Sequence, residues 1–404
     1  MFYLDRAATT PVRREVLEAM WPYLTGVFGN PSSTHGVGDA AARGLADARA
    51  AVASFLGCRP GEVVFTTGGT EGANTAVKGI ALAAPRGRHV VTSAIEHEAV
   101  LESCRYLERH HGFSLTVVPV DHDGLVAPDV LAAALRPDTT LVSIAHADNE
   151  IGTVQDVPAL ARVAHAVGAR FHTDAVQSAP WLPVGLDRLG VDALSFSGHK
   201  LGAPKGTGAL AVRGGVPLEP LLHGGGQERG RRSGTEDVAG AVALATAVGL
   251  VARTRDADAR RASVTRDALV DGVLASVPGA LLTGSRDRRL PGHASFCFPA
   301  VSSGGAGAPG AGASGSGASG AAVPAVNGET VLLELEQRDV VSSSGSACAA
   351  GSTEASHVLT ALGLSETTAR TALRLTFDAA LSDGDVRVVV EAVAASVDAV
   401  RSLG

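Results

Sequence analysis

Lysine is scarce in this chain. Of its 34 lysine and arginine residues only Lys78, Lys200 and Lys205 are lysines, so any chemistry that needs a nucleophilic amine has three candidates. Lys78 falls in a helical pattern, Thr75 to Ala83, typical of a solvated face, and Lys205 lies in a Gly-Pro-rich turn suited to a phosphate or surface contact. Lys200 follows directly on the apolar run Ala193–Ser197, inside Ser197-Gly198-His199-Lys200, and is the strongest candidate. Thiol chemistry is narrowed in the same way. Cys104 sits at helical spacing with Val100 and Leu107, Cys297 lies between Phe296 and Phe298 in a strand pattern, and Cys58 reads as packed near a helix end. Cys348 alone stands in a run of small residues, Ser342 to Ser352, that restrains its backbone little and leaves the thiol exposed.

The polar groups that could work with Lys200 recur at one kind of place. Five short apolar runs each end in a reactive or glycine-rich cluster. Val63–Thr67 runs into Gly68-Gly69-Thr70-Glu71, and His89–Ser93 leads to Glu96-His97. Leu141–His146 precedes Asp148-Asn149-Glu150, Arg170–Asp174 ends in its own aspartate with Gln177 close behind, and Ala193–Ser197 precedes His199 and Lys200. In open α/β sheets ligands bind beyond the carboxyl ends of the strands, so five such ends define one site. Gly68-Gly69-Thr70 opens a helix, whose unpaired N–H groups attract an anion. Neither a GxxxxGK[ST] loop nor a dinucleotide GxGxxG stands there, which points to a single phosphate. An amine beside a phosphate site, with an aspartate on a neighbouring strand end, is what pyridoxal phosphate requires: a lysine for the Schiff base and a carboxylate for the pyridinium nitrogen.

Those strands must be positioned by crossover helices. Between residues 63 and 213 the runs alternate with amphipathic segments, such as Leu160, Val163, Ala164 and Val167 at helical spacing, which predicts an α/β domain with a mainly parallel, doubly covered sheet. Beyond about residue 255 come a helix over Asp256–Val277, short strands at Ala294–Phe298, Asp339–Ser342 and Ala372–Phe377, and a last helix from Asp383 to Leu403, read as a smaller α+β domain. The expected division is 13–255 for the large domain, with 1–12 and 256–404 forming the small one. The tract 302–325, almost wholly Gly, Ala, Ser and Pro, reads as a flexible insertion unable to bury apolar surface. A net charge of −7 argues against a nucleic-acid partner. Val238–Ala252, an uncharged run rich in Ala and Gly, is too short for a membrane span and reads as a buried helix. With no targeting segment and no CxxC pair, a cytoplasmic protein without a disulfide framework is expected.

Taken together, the motifs resemble those of the cysteine desulfurases of class V aminotransferase type, particularly those of iron–sulfur assembly and nitrogenase maturation. The resemblance spans the chain outside the 302–325 tract. It rests on Leu4-Asp5-Arg6-Ala7-Ala8-Thr9-Thr10-Pro11, Gly29-Asn30-Pro31-Ser32-Ser33, Asn149-Glu150-Ile151-Gly152, Asp174-Ala175-Val176-Gln177-Ser178, Ser195-Phe196-Ser197-Gly198-His199-Lys200, Arg232-Ser233-Gly234-Thr235 and Ser343-Ser344-Gly345-Ser346-Ala347-Cys348.

The resemblance implies a fold-type I pyridoxal-phosphate transferase that converts L-cysteine to L-alanine. Lys200 would hold the cofactor and shuttle the substrate α-proton, Asp174 would partner the ring nitrogen, Gln177 the ring hydroxyl, and His97 would stack on the ring. Gly69, Thr70, Ser197 and His199 would bind the phosphate, with Thr235 reaching the phosphate of a second subunit in a homodimer. Asn149 and Arg374 would engage cofactor and substrate carboxylate. Cys348 would take the sulfur as a persulfide and pass it to an acceptor protein, an iron–sulfur scaffold or a tRNA-thiolation enzyme. No metal is implied beyond iron–sulfur ligation through Cys348 during transfer. A selenocysteine lyase, or another class V aminotransferase or lyase, is the alternative; a mobile cysteine loop separates the desulfurase from plain aminotransferases. The chain departs from the family at Asp148, where an Asn is frequent, at Arg6, and at Gly69 and Gly72.

Overall fold

The computed structural model describes residues 1–300, 324–345, 355–379 and 381–403. The strands are β1 (Phe2–Tyr3), β2 (Val63–Thr66), β3 (His89–Ser93), β4 (Ser114–Val118), β5 (Thr139–Ser143), β6 (Arg170–Asp174), β7 (Ala193–Ser197), β8 (Gly208–Val212), β9 (Leu281–Leu282), β10 (His293–Cys297), β11 (Val340–Val341) and β12 (Leu373–Thr376). Seven form one sheet in the order β2-β8-β7-β6-β5-β3-β4. Only β8 runs against its neighbours, so β2, β7, β6, β5 and β3 point the same way and their carboxyl ends share an edge.

Every residue of β3, β5, β7 and β8 is buried, as strands of a sheet covered on both faces require. The polar residues among them pair sideways within the sheet. The His172 ring lies between Ser143 Oγ (2.8 Å) and Ser195 Oγ (3.1 Å), and Thr92 donates to the Ser143 carbonyl. Burial drives the His172 pKa down to about 3, so this imidazole is a neutral bridge across three strands.

Two runs that read separately in sequence are one helix. Val238–Ser276 is continuous through residue 255. Its first half buries Ala243, Leu244, Ala247, Val248 and Val251 in the core beneath the large sheet, and its second half buries Leu269, Val270 and Val273 in another core beneath β10 and β12. The charged stretch between them, Arg253 to Arg261, belongs to neither core and is half-buried or exposed, with Arg255 lying over the Phe55 ring at 5.7 Å. By length and hydropathy this helix could cross a membrane, but half of its most apolar window is packed inside the fold. β12, β10 and β9 make an antiparallel sheet, and β1 pairs with β11. A bridge from Asp5 to Thr376 ties the N-terminal segment to β12. His89–Ser93, Arg170–Asp174 and Ala193–Ser197 have the limits read from sequence and the other strands differ by one to three residues; residues 301–323, most of the Gly/Ala/Ser tract, lie outside the described residues.

Candidate active site

The shared carboxyl edge opens into a cleft of about 600 Å³. Ten of the twelve expected site residues line it: Gly69, Thr70, His97, Asn149, Asp174, Gln177, Ser197, His199, Lys200 and Arg374. Thr235 does not; it is exposed on the loop before the long helix. Cys348 lies outside the described residues, although Gly345, three positions before it, lines the cleft.

The floor is built where β2 gives way to the helix Gly69–Ala83. Gly68 adopts φ +150°, a conformation that L side chains rarely adopt. A Cβ on Gly69 would come within 2.6 Å of Val176 Cγ2, so the helix start can press against the β6 turn only as glycine. Glu71, in the first turn, is drawn away from the anion position by Arg232 (3.0 Å) and by two hydrogen bonds from Thr67. Burial raises its pKa, but these partners outweigh burial and the net shift is downward. Its charge is thereby committed, and the helix N-terminus keeps its attraction for an external anion. Arg232 also anchors the loop of Thr235, which a buried bidentate Arg49–Glu228 pair (2.7 and 2.6 Å) fixes from below.

Across the cleft, Lys200 Nζ donates to the backbone carbonyls of Ala7 and Ala8, and Gln177 Nε2 also donates to Ala7 (3.0 Å). His199 is held by Thr9 Oγ1 at 3.1 Å. Burial, with Lys200 and Lys205 nearby, pushes its pKa down to about 4, so it is neutral at pH 7. Asp174, at the end of β6, accepts from Val176 N (2.8 Å) and is buried. Burial raises its pKa despite the opposing fields of His97 and Lys200, the signature of a carboxylate in want of a closer cation. His97 caps the helix Glu98–His111 through Nδ1, which accepts from Ala99 N, so the neutral ring carries its proton on Nε2. Lys78, by contrast, hydrogen-bonds Asn74 and lies over the Tyr106 ring at 4.4 Å, remote from the cleft lining.

Arg374 arrives from β12, in the smaller sheet, and is 1% exposed. Nη1 donates to Asn149 O (2.9 Å) and Gly345 O (3.1 Å), Nη2 to Asp5 Oδ1 (2.7 Å), and Nε has no partner among the described residues. The Asp5 contact escapes sequence reading because 369 residues separate the two. So do the Ala7 and Ala8 carbonyls and His357, which lines the cleft with Nε2 3.0 Å from the Glu96 carbonyl oxygen. A second cleft of about 480 Å³ lies behind Lys200, edged by Arg6, Arg13, Trp181, Arg255 and Arg261.

The residues fit pyridoxal phosphate. A glycine-lined helix start suits the phosphate, a buried carboxylate lacking a cation suits a pyridinium, and an amine opens on the same cleft.

The aminotransferase class-V family model matches residues 2–388. A cysteine desulfurase IscS of Dictyoglomus turgidum is 40% identical over 402 residues, covering 99% of this chain and 95% of the relative. A cysteine desulfurase IscS of Methanosarcina thermophila is 41% identical, covering 99% and 93%. Among solved structures, a NifS-like protein superposes with a TM-score of 0.84 at 34% identity, covering 98% of each chain. SspA in complex with cysteine gives 0.77 at 35% identity, covering 93% of this chain and 99% of that one.

Proposed function

The chain belongs to the class-V aminotransferase family of pyridoxal-phosphate enzymes, and from that footing we propose that it is a cysteine desulfurase converting L-cysteine to L-alanine with transfer of sulfur to Cys348. One observation carries the reading: the lysine, the buried aspartate and the glycine-lined helix start converge in a single cleft. Bound there, pyridoxal phosphate supplies an electron sink for the bonds around the substrate α-carbon.

The residues divide the work by position. Gly69, Thr70, Ser197 and His199 bind the phosphate, the neutral imidazole as a hydrogen-bonding group. Asp174 would hold the proton of the ring nitrogen, Gln177 would contact the ring hydroxyl, and His97 would stack on the ring. Asn149 and Arg374 hold the substrate carboxylate, a guanidinium fork being suited to that group. Lys200 anchors the cofactor and moves the proton at the substrate α-carbon. The Cys348 thiolate attacks the substrate sulfur: an S–S bond forms as the C–S bond breaks, the electron pair stays on carbon, and protonation there yields alanine. The persulfide then passes to an acceptor protein, an iron–sulfur scaffold or a tRNA-thiolation enzyme, in the cytoplasm.

Chemistry among the described thiols supports Cys348 as the acceptor. Burial pushes Cys58 up to about 11 and Cys104 and Cys297 to about 12, so all three are protonated and poorly nucleophilic at neutral pH. The purified protein with L-cysteine and a thiol reductant should release sulfide and alanine in equal amounts. Alanine without sulfide, or neither, would reject the reading.

Thr235, exposed and away from the cleft of its own chain, suits a phosphate contact across a homodimer. Thr235→Ala should weaken cofactor retention about tenfold or more, the loss of one hydrogen bond to a charged group, while the dimer persists. A strictly monomeric, fully active enzyme would exclude the shared site.

A further inference from the structure

We propose that Asp148 is a positioning residue whose charge sets the affinity for the substrate carboxylate: neutral Asp148 leaves Arg374 free to attract the anion, and ionised Asp148 cancels part of that attraction. The inference rests on the desulfurase reading and adds to it a residue that reading does not use.

Asp148 lines the same cleft as Asn149 and Arg374 and is 2% exposed. Its two oxygens live differently. Oδ1 accepts from Glu150 N (2.8 Å) and Ile151 N (2.7 Å), closing the turn whose Asn149 carbonyl receives Arg374 Nη1. Oδ2 is buried with no hydrogen-bond partner among the described residues. A carboxylate left so is costly, and a proton on Oδ2 removes most of the cost.

The surroundings strengthen the preference. Glu150, in the same turn, adds a like charge; Glu96, after β3, is itself pushed up to about 8 by burial and so stays protonated at neutrality. His357, from the helix His357–Ala361, and Arg289, from the segment before β10, oppose the like charge, and Arg374 faces the Glu150 member of the pair. Glu150 has a partner of its own, Ser356 Oγ, which donates to it at 2.5 Å, and Arg374 and His97 also offset its charge, yet burial still raises its pKa. Both carboxyls are held above the usual carboxylate range by burial, and the unpartnered Oδ2 is where Asp148 takes a proton. Burial first, and Glu150 second, push the Asp148 carboxyl up to about 7. Its charge thus appears in the physiological range on the residue before Asn149, whose carbonyl accepts from the arginine that must hold an anion.

The sign follows directly. Below neutrality Asp148 is uncharged and the carboxylate binds to the full field of Arg374. As pH rises through about 7 the new anion repels it. Asn at this position keeps an oxygen for the Glu150 and Ile151 N–H groups and cannot ionise, so Asp148→Asn mimics the neutral state permanently.

The test compares wild type with Asp148→Asn in the cofactor-loaded enzyme, from about one pH unit below neutrality to one above, the span over which such a group titrates. In wild type the KM for L-cysteine should climb about tenfold, the effect of a nearby like charge, while kcat follows a separate profile. In Asp148→Asn the KM should stay low and flat. The affinity for L-alanine, measured by calorimetry without turnover, should follow the same two patterns. In the apoprotein, the protonated-carboxyl band in pH-difference infrared spectra should weaken in the variant. A KM and an alanine affinity that vary with pH as steeply in Asp148→Asn as in wild type would overturn the proposal. Failure of wild type to make alanine from L-cysteine would instead reject the desulfurase reading, and the L-alanine and infrared measurements would still decide the role of Asp148.

Discussion

Lys200→Ala abolishes turnover of L-cysteine, with an expected loss of at least about a thousandfold, since it removes both the cofactor's attachment and the group that moves the α-proton. The purified variant also lacks the visible absorbance of the covalently held cofactor. Folding should survive. The Lys200 ammonium donates to the Ala7 and Ala8 carbonyls at the wall of an open cleft, where water can replace it. Exchanging such a bond for water costs on the order of 1 kcal/mol. Lys78→Ala and Lys205→Ala serve as controls and should keep colour and activity, because neither lysine lines the cleft. Loss of absorbance in either control with retention in Lys200→Ala would reverse the assignment.

Cys348→Ser gives the complementary result. Absorbance and the spectral response to L-cysteine persist, because no cofactor or carboxylate contact proposed here involves the thiol. Alanine release falls about a thousandfold or more, as expected when a nucleophile is replaced by one far weaker at neutral pH. Mass spectrometry of wild type after one turnover should show one added sulfur on Cys348. Sulfur on Cys58, Cys104 or Cys297 would defeat the assignment, and each would need a thiol held near pKa 11 to 12 to ionise.

Much of the site is legible in sequence because fold-level rules convert chain position into place. A residue at the end of a parallel strand arrives at the ligand edge whichever strand it is on, so Asp174, His97, Asn149 and Lys200 can be gathered without knowing the strand order. The glycines before the helix at Gly69 are legible for a similar reason: a backbone that must approach closely and bind an anion excludes side chains. The 39-residue helix is less so. Its charged middle interrupts the apolar pattern and reads as a boundary, while backbone hydrogen bonding runs through it regardless.

The sequence by itself determined the reactive groups: one well-placed lysine, a strand-end aspartate, a glycine-lined helix start and a cysteine among small residues. These follow from local chain geometry and residue type. The tertiary structure decided what those groups feel. It brought Arg374 from a separate sheet to Asn149 and Asp5, parked the Lys200 amine on two N-terminal carbonyls, and buried Asp148 beside Glu150 with one oxygen unpartnered. Desolvation and the fields of distant charges depend on contacts across hundreds of residues, and no local pattern encodes them.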